Sequence, residues 1–172
     1  MSAGDDGAEP IAFCRRWNTI TATPIDPLTA AQAEEMDRSK QWYTVVVGDP
    51  SAPRCYVEGA WENDHVGVWF LDEGLRQSVH YSFTRLDDTT MFLDAVVLWS
   101  YPRAAGRSFD EASTIEAVEY TTEGLVRRTT TNVRKKKDKI EEFSDVPLDI
   151  NWEPVPAFGD YRSLPRLDRE PN

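Results

Sequence analysis

Residues 65–101 read HVGVWFL-DEG-LRQSVHYSFTRL-DDT-TMFLDAVVLWSY, from His65 to Tyr101. Three runs rich in Val, Trp, Tyr, Phe and Thr are separated by Asp-Glu-Gly (72–74) and Asp-Asp-Thr (87–89), residues that break ladders and favour turns. Turns this short force neighbouring strands to run antiparallel, because a parallel partner needs a long crossover. The spacing predicts strands over 65–71, 75–86 and 90–101, joined as a meander, with Gly74 supplying a left-handed residue in the first turn.

The same pattern extends both ways. Upstream, 41–48 and 55–61 are expected strands around the proline-bearing turn 49–53. Downstream, 114–122 and 125–134 flank Glu123-Gly124, and 139–146 follows a charged turn. The longest loop is 102–113, with a helical turn at 109–112. One helix is expected over about 30–39. There Thr29 and Gln32 make a capping box, Leu28 staples the start, and Ala30, Ala33 and Met36 share a face. A short strand is expected around 17–23.

Residues 1–10 have no apolar anchor and are expected to be disordered. Residues 147–172 carry Pro147, Pro154, Pro156, Pro165 and Pro171 among Trp152, Phe158, Tyr161 and Leu164. They read as an extended tail packed on the body by its aromatics. The fold class is therefore mainly β: an antiparallel up-and-down meander of about eight strands in a single domain over 11–146. Sheet edges are a liability that closure removes, so a barrel is the expected form. Without helical crossovers, a parallel α/β fold is excluded.

A chain of 172 residues suits one domain with a real core. Lys and Arg number 19 against 30 Asp and Glu, a net charge of -11. Residues 61–124 carry 4 basic and 12 acidic groups, so the middle is the acidic part. Polyanions need clustered Lys and Arg, so no nucleic acid is expected as a partner. The basic run 134–137 is followed by Asp138, Glu141 and Glu142 and reads as a solvated turn.

The first ten residues lack the basic start and apolar run of a secretory signal. The run 91–101, broken by Asp94, is too short to span a bilayer. A cytoplasmic location and no membrane partner are the expectation, with Cys14 and Cys55 as reduced thiols. With only His65 and His80, no zinc set is expected. No P-loop, dinucleotide glycine motif or nucleophile elbow is present, and no cofactor is expected.

A helix-prefaced meander carrying Gly59-Ala60-Trp61 resembles the calycin (lipocalin-like) barrels, whose first strand bears a Gly-x-Trp signature. The resemblance covers about residues 41–146. It implies a ligand cavity inside the barrel and identifies no ligand.

Alternation assigns side chains to faces. On 75–86 one face carries Arg76, Ser78, His80, Ser82 and Thr84, and the other Leu75, Val79, Tyr81 and Phe83. The strand 90–101 is apolar on both sides. Its outer face is expected to be covered by the helix, the tail or a second copy of the chain in a homodimer. Asp94 lies among Phe92, Leu93, Val96 and Leu98, where an unpaired carboxylate is costly to bury. Burial would raise its pKa and suit it to general acid or base work.

If Leu86 faces Thr90, Asp94 shares a face with Ser82 and lies diagonal to His80; a two-residue turn would separate them. Asp94 and His80 are thus the candidate catalytic pair, with His80 as relay. The plainer alternatives are a solvated histidine and an aspartate paired with a neighbouring Arg or Tyr. Candidate ligand-contacting groups are Trp69, Tyr81, Trp99, Tyr101 and Tyr120 as walls, with Glu58 and Arg127 or Arg128 as polar contacts. Core packing is the plainer role for the rings, and pairing with Glu116 or Glu119 for the arginines. His65, beside a turn, reads as a surface residue.

Such a pocket would suit a small apolar or aromatic ligand and cofactor-free cyclase, isomerase or lyase chemistry by proton transfer. A carrier or sensor is the same architecture without the chemistry. The alternative is an inhibitor or immunity-type partner of a basic protein, steered by the acidic middle.

Overall fold

The computed structural model describes residues 9–169. Among them, eleven strands form one sheet in which every pairing is antiparallel. In chain order they are β1 (Ile11–Asn18), β2 (Thr23–Leu28), β3 (Tyr43–Asp49), β4 (Ala52–Ala60), β5 (His65–Leu71), β6 (Gln77–Arg85), β7 (Thr90–Ser100), β8 (Thr114–Tyr120), β9 (Val126–Asn132), β10 (Lys137–Phe143) and β11 (Trp152–Pro154). The helix α1 (Ala30–Arg38) lies between β2 and β3. Neighbours run β10-β9-β8-β7-β6-β5-β4-β3-β1-β2, and β11 pairs with the 90–92 end of β7, beyond the reach of β8.

The central meander follows the turns read from 65–101, and α1 begins on its capping box. The Gln32 amide donates to Thr29 Oγ1 at 3.2 Å while Thr29 N donates to Gln32 Oε1 at 2.9 Å. Two N-terminal strands replace the single short one expected around 17–23. Pro24 and Pro27 lie in β2, the outermost strand at that end, where a missing N–H is tolerated. Gly48 takes φ +100° at the β3–β4 bulge, where a Cβ would stand 3.2 Å from the Arg54 amide.

The expected closed barrel is not formed: the sheet ends in β10 on one side and β2 on the other, and these do not pair. Two features oppose closure. The prolines of β2 cannot donate to a further strand. The inner face is also filled by the chain itself. Phe70, Tyr81, Phe83 and Leu93 on that face pack in one core with Ala33 and Met36 of α1 and Tyr161 and Leu164 of the C-terminal segment. The calycin-like interior cavity, and the placing of a site within it, fall with closure.

Polar clamps fix the covering layer. Asp37 of α1 accepts hydrogen bonds from Tyr43 Oη and Trp61 Nε1, each at 2.7 Å, and Tyr43 Oη meets Tyr161 Oη at 2.7 Å. Arg169 is fully buried. It pairs with Glu153 and donates to the carbonyls of Ile150 (2.7 Å) and Ser163 (3.0 Å), with its guanidinium over the Phe83 ring. The segment 147–169 thus forms a strand and an inner-face cover.

The expected disordered stretch 1–10 lies outside the described residues except for Glu9 and Pro10. Glu9 pairs with Arg54 at 2.7 Å, and the Pro10 carbonyl accepts from Gly48 N at 2.8 Å. No helix among the described residues is long and apolar enough to cross a membrane.

Candidate functional site

The opposite, outer face of the sheet carries the chemistry. Cross-strand registers set one polar row there: Thr44 opposite Glu58, Glu58 opposite Gly67, and Gly67 opposite Ser82. A second row is aromatic, with Tyr56 opposite Trp69 and Trp69 opposite His80. A third sets His65 opposite Thr84.

Gly67 lies where the rows converge. A Cβ there would meet His80 Nε2 at 3.1 Å, Trp69 Nε1 at 3.3 Å and His65 Nε2 at 3.7 Å. Its missing side chain lets the rings lie flat across the strand. Trp69 consequently reaches over it and donates from Nε1 to Glu58 Oε2 at 2.9 Å. His80 stacks on the other flank of Trp69, ring centroids 3.8 Å apart.

The aromatic row continues in both directions. Tyr56 stacks between Trp69 (6.1 Å) and Trp17 (5.8 Å). Trp99 of β7 lies 6.0 Å from Trp69 and 4.9 Å from Phe109, which comes from the 102–113 loop. The result is a shelf of stacked rings with the β1–β2 turn at one end and that loop at the other. Arg107 joins the two walls by donating to the Ile20 carbonyl at 3.1 Å.

Burial raises the pKa of the Glu58 carboxyl, opposed by the Trp69 hydrogen bond and the charge of Arg16. Burial, with a smaller contribution from His65, pushes His80 down to about 4. His80 is therefore neutral at pH 7, and its Nε2 is buried with no hydrogen-bond partner among the described residues. Thr44 Oγ1, on the same face beside Glu58, is likewise buried and unpartnered. A proton-accepting or -donating carboxyl and a neutral imidazole thus flank one indole, an arrangement able to grip a polar group or move a proton.

Of the residues singled out from sequence, Glu58, Trp69, His80 and Trp99 come together here. Asp94 is on the same face but three strands from Glu58, with β5 and β6 between them. It occupies a β-bulge where β7 slips against β6, and accepts the Thr84 hydroxyl. Tyr101 lies past the end of β7, donating to the Gln77 carbonyl at 2.9 Å. Tyr81 is fully buried on the inner face, edge-on to Phe70. Tyr120 packs against the same inner core, and Arg128 pairs with Glu116 at 2.7 Å. Arg127 is exposed.

Gly67, His65, Tyr56, Trp17 and Phe109 were not among the sequence candidates. Counting through the 61–64 turn would have set Glu58 opposite Gly67; nothing in the sequence brings Trp17 or Phe109 to this face. Burial pushes the thiols of Cys14 and Cys55 up, to about 11 and about 12, so neither is a ready nucleophile. Among the described residues, no group of three or more His, Cys, Asp or Glu could hold a metal ion.

Fold and site together define a class: an open antiparallel β-sheet protein with an acid–histidine pair set in an aromatic face. Comparison of the chain with family models, curated proteins and solved structures returned no match.

Proposed function

We propose that the protein binds a small, mainly apolar or aromatic molecule on the outer face of its sheet, with Glu58 and His80 as the groups that hold or transfer a proton. The observation that carries this reading is the placing of Glu58 and His80 on either flank of Trp69, with His80 Nε2 buried and unpartnered. Buried polar groups left unsatisfied work against folding and concentrate where a ligand or a reaction supplies the missing partner. The stacked rings provide a sequence of apolar faces for a planar body. The chemistry fits a cofactor-free isomerase, cyclase or lyase; without turnover the same face serves a carrier.

Native mass spectrometry of the purified chain, followed by titration with the molecule found, tests the reading. Trp69→Leu is expected to weaken binding about tenfold or more, through loss of the ring and the release of Glu58. Glu58→Gln is expected to retain binding and abolish turnover in an enzyme. Undiminished affinity in Trp69→Leu would overturn the proposal.

A second reading, an acidic partner of a basic protein, is favoured by the exposure of Glu62, Asp64, Asp87 and Asp88 around one end of the sheet. It requires binding to a basic protein that weakens steeply with salt.

A further inference from the structure

A groove of about 1010 Å³ opens beside the aromatic shelf, between the 72–76 turn, the β1–β2 turn and the 102–111 loop. It is lined by Arg76, Arg103 and Arg107, which are three of the four basic residues in the acidic stretch 61–124. We propose that this groove is an oxyanion subsite, and that the ligand of the outer face is an aromatic or apolar molecule bearing a carboxylate or phosphate. The inference rests on the function proposed above and names the ligand class.

Two of the guanidinium groups are fixed in advance. Arg76 donates from Nε to Asp72 at 2.7 Å and from Nη1 to the carbonyls of Pro102 (3.2 Å) and Ala105 (3.4 Å), with its Cζ over the Tyr101 ring, 4.8 Å from the centroid. Arg107 donates from Nε to Gly74 O and from Nη1 to Ile20 O, each at 3.1 Å. These contacts leave the Nη2 group of each free to donate, and Arg103 makes no hydrogen bond or ion pair among the described residues. Forked donors held by backbone carbonyls lose little entropy when they grip an oxyanion.

Acidic side chains also line the groove. The Glu111 carboxylate turns onto the Gly106 amide at 2.6 Å, and Glu73 is exposed. Recognition therefore rests on directed N–H groups rather than on net charge. Continuity with the shelf comes from β7, whose Trp99 is followed two residues later by Tyr101 of the groove, and from the loop, where Arg107 is followed by Phe109.

Calorimetric titration of the full chain with 2-naphthoate, 2-naphthyl phosphate and neutral 2-naphthamide tests the proposal. At least one anion is expected to bind about tenfold tighter than the amide, and whichever does identifies the source of the charge. Arg103→Ala, at an exposed position without contacts, is expected to remove about fivefold or more of that advantage and to leave amide binding unchanged. Equal binding of amide and anions, or an advantage untouched in Arg103→Ala, overturns the subsite while leaving the shelf in place. Failure of all three probes to bind overturns both readings.

Discussion

His80 shows how strongly one environment can govern a side chain. A free imidazole titrates near ~6.5, whereas burial under Trp69 holds this one at about 4. The unfolded chain thus takes up a proton at a pH where the folded chain does not. Stability is full above pH ~6.5 and falls as the pH drops towards 4, by up to ~3 kcal/mol from this group alone. Urea unfolding at a series of pH values checks the slope. His80→Gln should flatten it over this window, and the His80 ring proton resonance should titrate near the lower value.

Much of this local chemistry is legible from alternation: His80, Ser82 and Thr84 fall on one face, and Glu58 and Trp69 read as polar contact and wall. What alternation misses is the arrival of Phe109 on Trp69 from a distant loop, and the effect of the missing side chain at Gly67. The 72–76 turn gives a smaller lesson. The residue in the left-handed region is Leu75 (φ +57°), not Gly74, because the Asp72 carboxylate grips the amides of Gly74 and Arg76.

Among the elements, α1 is the most exposed to a single substitution. Its buried residues are only Ala33 and Met36, so its position depends on Asp37, which ties it to β3 through Tyr43 and to the turn after β4 through Trp61. Asp37→Ala leaves the Trp61 indole N–H without an acceptor and Tyr43 with Tyr161 alone. A loss of ~2 kcal/mol in denaturant unfolding is expected, with the sheet's circular dichroism unchanged. Thr29 and Gln32 announced where this helix starts; its anchoring residue, on the flank of the apolar stripe, carried no comparable signal.

Strand pairing shows the same division. The 87–89 turn does set Leu86 against Thr90, with Leu86 N donating to Thr90 O at 2.9 Å. Beyond Leu93 the register slips and Ala95, rather than Asp94, stands opposite Ser82. A bulge inside a strand has no turn residue to mark it.

The tail decides the form of the protein. It was expected to pack on the body by its aromatics; its Tyr161 and Leu164 lie in the core on the inner face of the open sheet, and it brings a charged pair with it. Arg169→Ala leaves the Glu153 carboxylate buried with only the half-exposed Arg166, 2.8 Å away, as counter-ion. Removing one member of a buried pair is strongly destabilising, and a loss of ~3 kcal/mol is expected in thermal or urea unfolding. Replacing both Arg169 and Glu153 by Met should recover most of it, since apolar side chains of similar size fill the space without desolvating charge. A double variant no more stable than Arg169→Ala alone would show that the pair itself, not the lone carboxylate, matters.

Local chemistry settled the strands of the central meander, the short turns, the antiparallel sense and the capped helix, because each depends on residues within a few positions of one another. It also placed His80, Ser82 and Thr84 on one face. Whether the sheet closes, what fills its hollow side and which rings cover Glu58 and His80 depend on contacts between distant segments. Tyr43 meets Tyr161, Arg169 meets Glu153, and Arg107 meets Ile20 only after folding. Burial, and with it the protonation state of the site, is a property of those long-range contacts, so it emerged only in three dimensions.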